Sequence, residues 1–399
     1  MMNQLDLDIS DEQVRINPYP TFSNLRQSGE IIWSELLGIW LAPTHATANA
    51  VLRAKTLGRI FTPKEPEGDW GIFNWLHADS ILDSEPPKHT RLRALVQKAF
   101  TPGRINSLKP NIVEICQGLL DDAETKLTRD GHFDLLADFA EPLPVLVIAD
   151  LLGVPRQAVS DLRRWSQDIV KMYEVAPSEL ETKAAQDSCS QFSEFISRLA
   201  NQRRSEPQAD LITALVEVEE AGERLNEHEL IAMCILLLNA GHEASVNGFG
   251  NGFVALCQHP QQLALLAQDP NLHARTALEE MMRFDSPLQL FERTAIQDTQ
   301  IGSVTITAGQ KVGALLGAAN RDPAVFENAD DFNILREPNP HIAFGAGIHF
   351  CIGAPLARLE MQTALTMLLT RFPTLHLAGP AQQRPTFVLR GWQSIPVSI

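Results

Sequence analysis

Between residue 105 and about 285 the apolar residues recur almost throughout at helical spacing, and this run constrains the fold more than any other feature. Pro142, Pro144, Pro155, Pro177, Pro207, Pro260 and Pro270 fall near the helix boundaries that the pattern implies. The longest element runs from Glu227 to about Cys257, which at ~1.5 Å per residue predicts a rod of ~45 Å. Gly241, Gly248, Gly250 and Gly252 interrupt its middle, each costing about 1 kcal/mol relative to alanine in a helix. Small residues there predict close approach of a backbone or a flat ligand, or a local kink. After Pro287 come short β-like runs at 290–296, 304–307 and 311–316, then a loop-rich stretch over 320–354 and a last helix from near Pro355. No linker, repeat or low-complexity tract is visible. The expectation is one body over residues 1–399, mainly α with small β-sheets.

Composition narrows the function. Apolar residues make up 44% of the chain and charged residues 21%, enough to bury a large core. Forty-nine acidic residues against thirty-three basic ones leave a net charge of -16, which argues against nucleic acid and anionic membrane as partners. Cys116, Cys189, Cys234, Cys257 and Cys351 are odd in number and scattered, with no C-x-x-C pair. That speaks against a disulfide framework, a cysteine-rich zinc site and a c-type haem attachment, and for reduced thiols. The acidic, polar N-terminus does not read as a signal peptide, and the longest unbroken apolar run, Leu230 to Leu238, is half of what a membrane span needs. A monomeric, cytoplasmic protein is expected.

Residues 30–41 read as a hairpin, and 44–54 and 89–100 as helices. Between them 56–87 reads as a long irregular stretch holding Phe61, Trp70, Phe73 and Trp75, either a satellite core or a ligand-facing wall.

The most specific signal is NPHIAFGAGIHFCIGAPLARLE, residues 339–360. Cys351 lies in a glycine-rich loop (Gly345, Gly347, Gly353) just before a helix with Pro355 in its first turn. Backbone N–H groups at such a helix start favour a thiolate, and the glycines keep bulk away from whatever the sulfur faces. An isolated cysteine is usually a buried structural residue; this context reverses that expectation. Phe344, Gly345, Gly347, His349, Cys351 and Gly353 together resemble the haem-ligand loop of the cytochrome P450 superfamily of haem-thiolate monooxygenases. By that resemblance Cys351 is the axial iron ligand, a thiolate that pushes electron density onto iron, and His349 bonds a haem propionate.

Four further segments are similar to the family's in the same order. Glu280 and Arg283, three apart in an apolar helix, resemble its Glu-x-x-Arg pair, and Arg336 fits the third member of that charge network. His89 and Arg93 resemble its propionate-binding His-x-x-x-Arg, and Arg293, at the start of a strand, fits a further propionate arginine. Ala240, Gly241, Glu243, Ala244 and Ser245 resemble the oxygen-binding groove, small Ala240 and Gly241 leaving room over the iron. Ala244 departs from the family by standing where a threonine hydroxyl usually assists proton delivery; a substrate group, ordered water or Ser245 would then take that part.

The resemblance implies the cytochrome P450 fold, with haem b between the long central helix and the Cys-loop and C-terminal helix. It implies hydroxylation or epoxidation of a small, largely apolar substrate, with electrons from NAD(P)H through a separate reductase and ferredoxin. The basic, acid-free segment 87–109 (Lys88, Arg91, Arg93, Lys98, Arg104, Lys109) is the expected ferredoxin dock. The expected pocket walls are the 60–85 loop with Trp70, Phe73 and Trp75, residues 160–185, the helix from Leu236 to Ala244, and Leu288, Leu290 and Phe291, with Phe387 and Val388 adding to them. The rival readings are a peroxide-driven or non-hydroxylating haem-thiolate enzyme (coupling, nitration), a haem sensor, and a cysteine hydrolase.

Overall fold

The computed structural model describes residues 6–173, 178–218 and 222–399. Its main helices are α1 (His45–Arg53), α2 (Glu67–Ala78), α3 (Lys88–Ala99), α4 (Lys109–Asp130), α5 (Pro142–Leu152), α6 (Glu179–Ser205), α7 (Glu227–Gln258), α8 (Pro270–Phe284) and α9 (Ala354–Arg371). The strands of the main sheet are β1 (Ile32–Ser34), β2 (Ile39–Ala42), β3 (Leu57–Gly58), β4 (Leu290–Ala295) and β5 (Lys311–Leu315). The chain divides into two compact units interleaved in sequence. One takes residues up to Gly58, Cys116–Glu141 and Ala244–Ile399; the other takes Arg59–Ile115 and Pro142–Glu243.

The first unit holds the sheet, ordered β1-β2-β5-β4-β3. All pairs are antiparallel except β2 with β5, where Trp40, Leu41 and Ala42 face Val312, Gly313 and Ala314. The 30–41 hairpin is therefore present, with Gly38 in the left-handed region at its turn. Alternation along β4 sends Leu290 into a core with Phe22, Ile39, Leu41, Leu315 and Phe387. Gly313, paired with Glu292, leaves room for the Leu290 side chain: a Cβ there would lie 2.4 Å from Leu290 Cδ1. Leu290 and Phe387, both expected in a pocket wall, pack together here in the sheet core. They are buried core residues, Phe387 edge-on to Phe22.

Helix α8 begins as its sequence dictates. The Asp269 side chain accepts a hydrogen bond from Leu272 N, and Pro270 occupies the first turn, where its missing N–H costs nothing. Its buried face meets α7 through Gly252, whose absent Cβ would stand 2.4 Å from Met281 Cβ. A helix-weakening residue is thus used for close packing, and α7 runs unbroken as a single 32-residue helix.

In the second unit α6 starts with a reciprocal capping box between Ser178 and Glu181. It packs on Val159–Val170, where Trp165 stacks on Phe192 with centroids 5.3 Å apart. The N-terminus of α7 is closed the same way, Asn226 accepting from Glu229 N while Glu229 accepts from Asn226 N. The stretch read as irregular over 56–87 contains α2. Pro66, Gly68 and Gly71 look like loop residues, but tertiary burial of Phe73 and Leu76 overrides their weak helical propensity. Among the described residues α7 is the one helix long and apolar enough to cross a membrane, and most of it is buried within the chain.

Candidate active site

In the first unit the Cys351 loop is held by its own backbone. Cys351 N donates to Phe344 O at 3.0 Å, closing the loop over residues 344–351. Gly345 and Gly347 both adopt positive φ, +72° and +69°. At Gly347 a side chain is doubly excluded, because a Cβ would lie 2.4 Å from Leu52 O. The loop delivers Cys351 three residues before α9, at the positive end of that helix. Of the five cysteines it is the exposed one; burial pushes Cys116, Cys189, Cys234 and Cys257 up to about 12. Four thiols are thus inert, and one sulfur is presented.

Behind this loop lies the predicted charge network. Arg283 Nε and Nη2 donate to Glu280 at 2.7 and 2.9 Å, both side chains wholly buried. Arg336 Nε donates to Glu280 Oε2 at 3.2 Å, so all three predicted members meet. Arg283 also donates to the carbonyls of Asn320, Ala329 and Asp331. One ion cluster therefore pins 320–336 to α8, which explains why so irregular a stretch is ordered.

The sequence reading missed a second cluster beside it. Arg358 donates to Glu279 twice, at 2.6 and 2.9 Å, while His341 Nε2 lies 2.8 Å from the same carboxylate. Burial would raise the Glu279 pKa, but these hydrogen bonds outweigh it and hold the carboxyl down at about 2. Arg358 also covers the Phe344 ring at 4.3 Å, tying α8, α9 and the cysteine loop together. The Glu279 signal was adjacent to a residue already singled out, but nothing in its spacing pairs it with Arg358.

Arg293 lies fourth in β4, mid-strand rather than at its start, and is almost wholly buried. Its guanidinium stands 4.4 Å from the Phe291 ring centroid. Phe291 and Leu288 are half-buried against the sheet core. His349 is half-buried in the loop, next to exposed Ile348 and Phe350.

In the second unit His89 and Arg93 occupy successive turns of α3, His89 buried and Arg93 half-buried. On α7 the residues flanking the motif are buried, whereas Leu236, Leu237, Ala240, Gly241, Glu243 and Ala244 are not; Ser245 and His242 are. That uncovered stripe follows helical spacing and is nearly all small or apolar. Gly241 also faces α5, where a Cβ would lie 2.7 Å from Ile148 Cδ1. It permits a helix–helix contact.

The pocket aromatics divide. Phe73 is buried and Trp70 half-buried, their rings edge-on at 5.4 Å, while Trp75 is partly exposed and stacks on His228 at 3.8 Å. Residues 174–177, part of the expected 160–185 wall, lie outside the described residues. The basic segment is partly neutralised: Lys88 pairs with Asp79, Arg91 with Glu229 and Glu223, and Arg104 donates to Asp210 O. Its missing acids are supplied from other segments, and Lys98 and Lys109 remain the exposed members.

Within the first unit the donor set suits a flat iron porphyrin that carries carboxylates: one presented thiol, a buried arginine and an imidazole. The cytochrome P450 family model matches residues 47–269 and 273–390. The chain is 42% identical over 326 residues to the polyketide biosynthesis cytochrome P450 PksS of Bacillus subtilis, covering 81% of this chain and 78% of that one. It is 37% identical over 387 residues to the biotin biosynthesis cytochrome P450 of the same organism, covering 96% of each. Among solved structures, P450BioI in complex with acyl carrier protein ligated to hexadec-9Z-enoic acid superposes with a TM-score of 0.90 at 35% identity, over 97% of this chain and 100% of that one. From the cysteine loop, the buried charge network and these relatives together, the chain belongs to the cytochrome P450 family and is a monooxygenase that works with haem b.

Proposed function

We propose that residues 1–399 act as a single catalytic domain in which Cys351 ligates the haem iron and His89, Arg93, Arg293 and His349 hold the propionates. The presented sulfur of Cys351, in a loop closed by Phe344 O and followed by a helix N-terminus, carries this reading. Haem b bound through a thiolate supplies the iron chemistry that activates dioxygen, with electron push from sulfur. The chain's own residues do the rest. Glu280, Arg283 and Arg336 keep the backbone behind the loop rigid. The Leu236–Ala244 stripe, with Trp70, Phe73, Leu288 and Phe291, orients an apolar substrate and excludes water. Glu243 relays protons, and with Ala244 at the position of the usual hydroxyl, the last relay step falls to a substrate group or to water held near Ser245.

The electron donor is a small acidic ferredoxin fed by an NAD(P)H-dependent reductase, and the protein works as a cytoplasmic monomer. The exposed Lys98 and Lys109, with the half-buried Arg104, form the docking patch. Turnover under labelled dioxygen tests the reaction type. One labelled oxygen atom per product molecule, with electrons supplied through ferredoxin, is expected. Product that carries no label, or that forms only with peroxide, would replace monooxygenation with a peroxide-driven reaction.

A further inference from the structure

The loop before α2 carries a cation that the proposed mechanism does not use. Lys64 is half-buried, its Nζ 4.2 Å from the Trp70 ring centroid and 5.2 Å from that of Phe73. Nζ donates one hydrogen bond, to Met172 O at 2.7 Å. An ammonium has three donors, so among the described residues two are left over. The loop itself is fixed, because Lys64 N donates to the Asn74 side chain and Asn74 Nδ2 donates back to Lys64 O. The ammonium is thus held in place over two aromatic rings rather than waving in solvent.

No ion pair to Lys64 is found among the described residues, and the neighbouring Glu65 side chain is exposed. Arg59 is paired with Asp83 at 2.7 Å. His77, stacked on Phe73 at 3.9 Å, is held below its ordinary value chiefly by burial, with Lys64 and Arg59 adding to that and the Phe73 carbonyl and Asp83 opposing it. Among the described residues, no carboxylate pairs with the cation that stands against Trp70 and Phe73. Burial also lowers the Lys64 pKa, a cost that an anion beside it would remove.

We propose that the substrate carries a carboxylate and that Lys64 is its anchor, making this lysine a specificity-determining residue. The inference rests on the reading of Trp70 and Phe73 as substrate wall. An apolar body packed on these rings places an attached carboxylate within reach of the two spare donors, and a charge-assisted hydrogen bond then fixes which end of the molecule points away from the reacting carbon.

Spectral titration of the purified holoenzyme tests this with dodecanoic, phenylbutanoic and adamantanecarboxylic acids, each against its methyl ester. At least one acid is expected to bind roughly tenfold or more tightly than its ester, as a charge-assisted bond allows. Lys64→Met should abolish that preference while leaving ester affinity and the CO spectrum unchanged, and Lys64→Arg should keep it. A lysine that merely braces the loop through Met172 O would weaken acid and ester alike in Lys64→Met. No acid preferred over its ester in the wild type, equal weakening of both, or a preference that survives in Lys64→Met overturns the anchor. Trp70→Ala examines the wall separately: weaker binding of acid and ester together supports it. Unchanged affinity for both overturns the wall, and the anchor with it.

Discussion

Replacing Glu280 by alanine removes the acceptor at the centre of the buried network. Glu280 takes two hydrogen bonds from Arg283, one at 3.2 Å from Arg336, one from Asn333 N at 2.7 Å and one from Asn339 at 3.1 Å. Both ends of the Glu280–Arg283 pair are 0% exposed, so the guanidinium left behind lies away from bulk solvent. Breaking such a pair from one side costs about 3–5 kcal/mol, and the orphaned Asn333 N–H adds on the order of 1–3 kcal/mol, the two not fully additive. Against a typical stability of about 5–15 kcal/mol this is a large fraction. Urea unfolding followed in parallel by far-UV circular dichroism and Soret absorbance measures it. The double variant Glu280→Met with Arg283→Met is expected to recover part of the loss, because the wholly buried Arg283 charge is then no longer stranded. A Glu280→Ala protein within about 1 kcal/mol of wild type would refute the assignment of the network as the scaffold behind the cysteine loop.

Three other outcomes follow from particular residues. Burial raises the Glu360 carboxyl to about 8 against 4.5 in an unfolded chain, so the native state binds the extra proton between those values. Stability from this group is full below pH 4.5 and lost as pH rises through about 8; Glu360→Gln should flatten that fall and be the more stable protein at pH 8, and an unchanged slope counts against it. Charge reversal at exposed Lys98 and Lys109 should slow reduction by ferredoxin more at low salt than at high salt, with stopped-flow rates unaffected by either variant removing the docking patch. Ala244→Thr should keep haem binding and the CO spectrum but lower product formed per NAD(P)H consumed with the natural substrate; better coupling with every substrate would end the substrate-assisted proton route.

What the sequence made legible was periodic or locally patterned. Helix α7, the 30–41 hairpin, the β4 and β5 runs and the start of α9 all carry their signals within a few residues. The Glu280, Arg283 and Arg336 cluster was readable because two members share one helix turn and the third lies in a recognisable segment. Helix α2 was not, since Gly68 and Gly71 argue for loop until burial of Phe73 and Leu76 is known. Leu290 and Phe387 are apolar, and composition alone does not distinguish a wall from the core they share with Phe22. Glu279 with Arg358, and Arg91 with Glu229, join residues 79 and 138 positions apart, which no local pattern encodes.

The central claim is that the sulfur of Cys351 binds the haem iron. The ferrous protein under carbon monoxide should absorb at the wavelength characteristic of thiolate ligation, and Cys351→His, still binding haem, should shift to the histidine-type spectrum. A wild-type protein that is intact and fully reduced yet shows only the histidine-type band, or a Cys351→His variant that keeps the thiolate band, would contradict it.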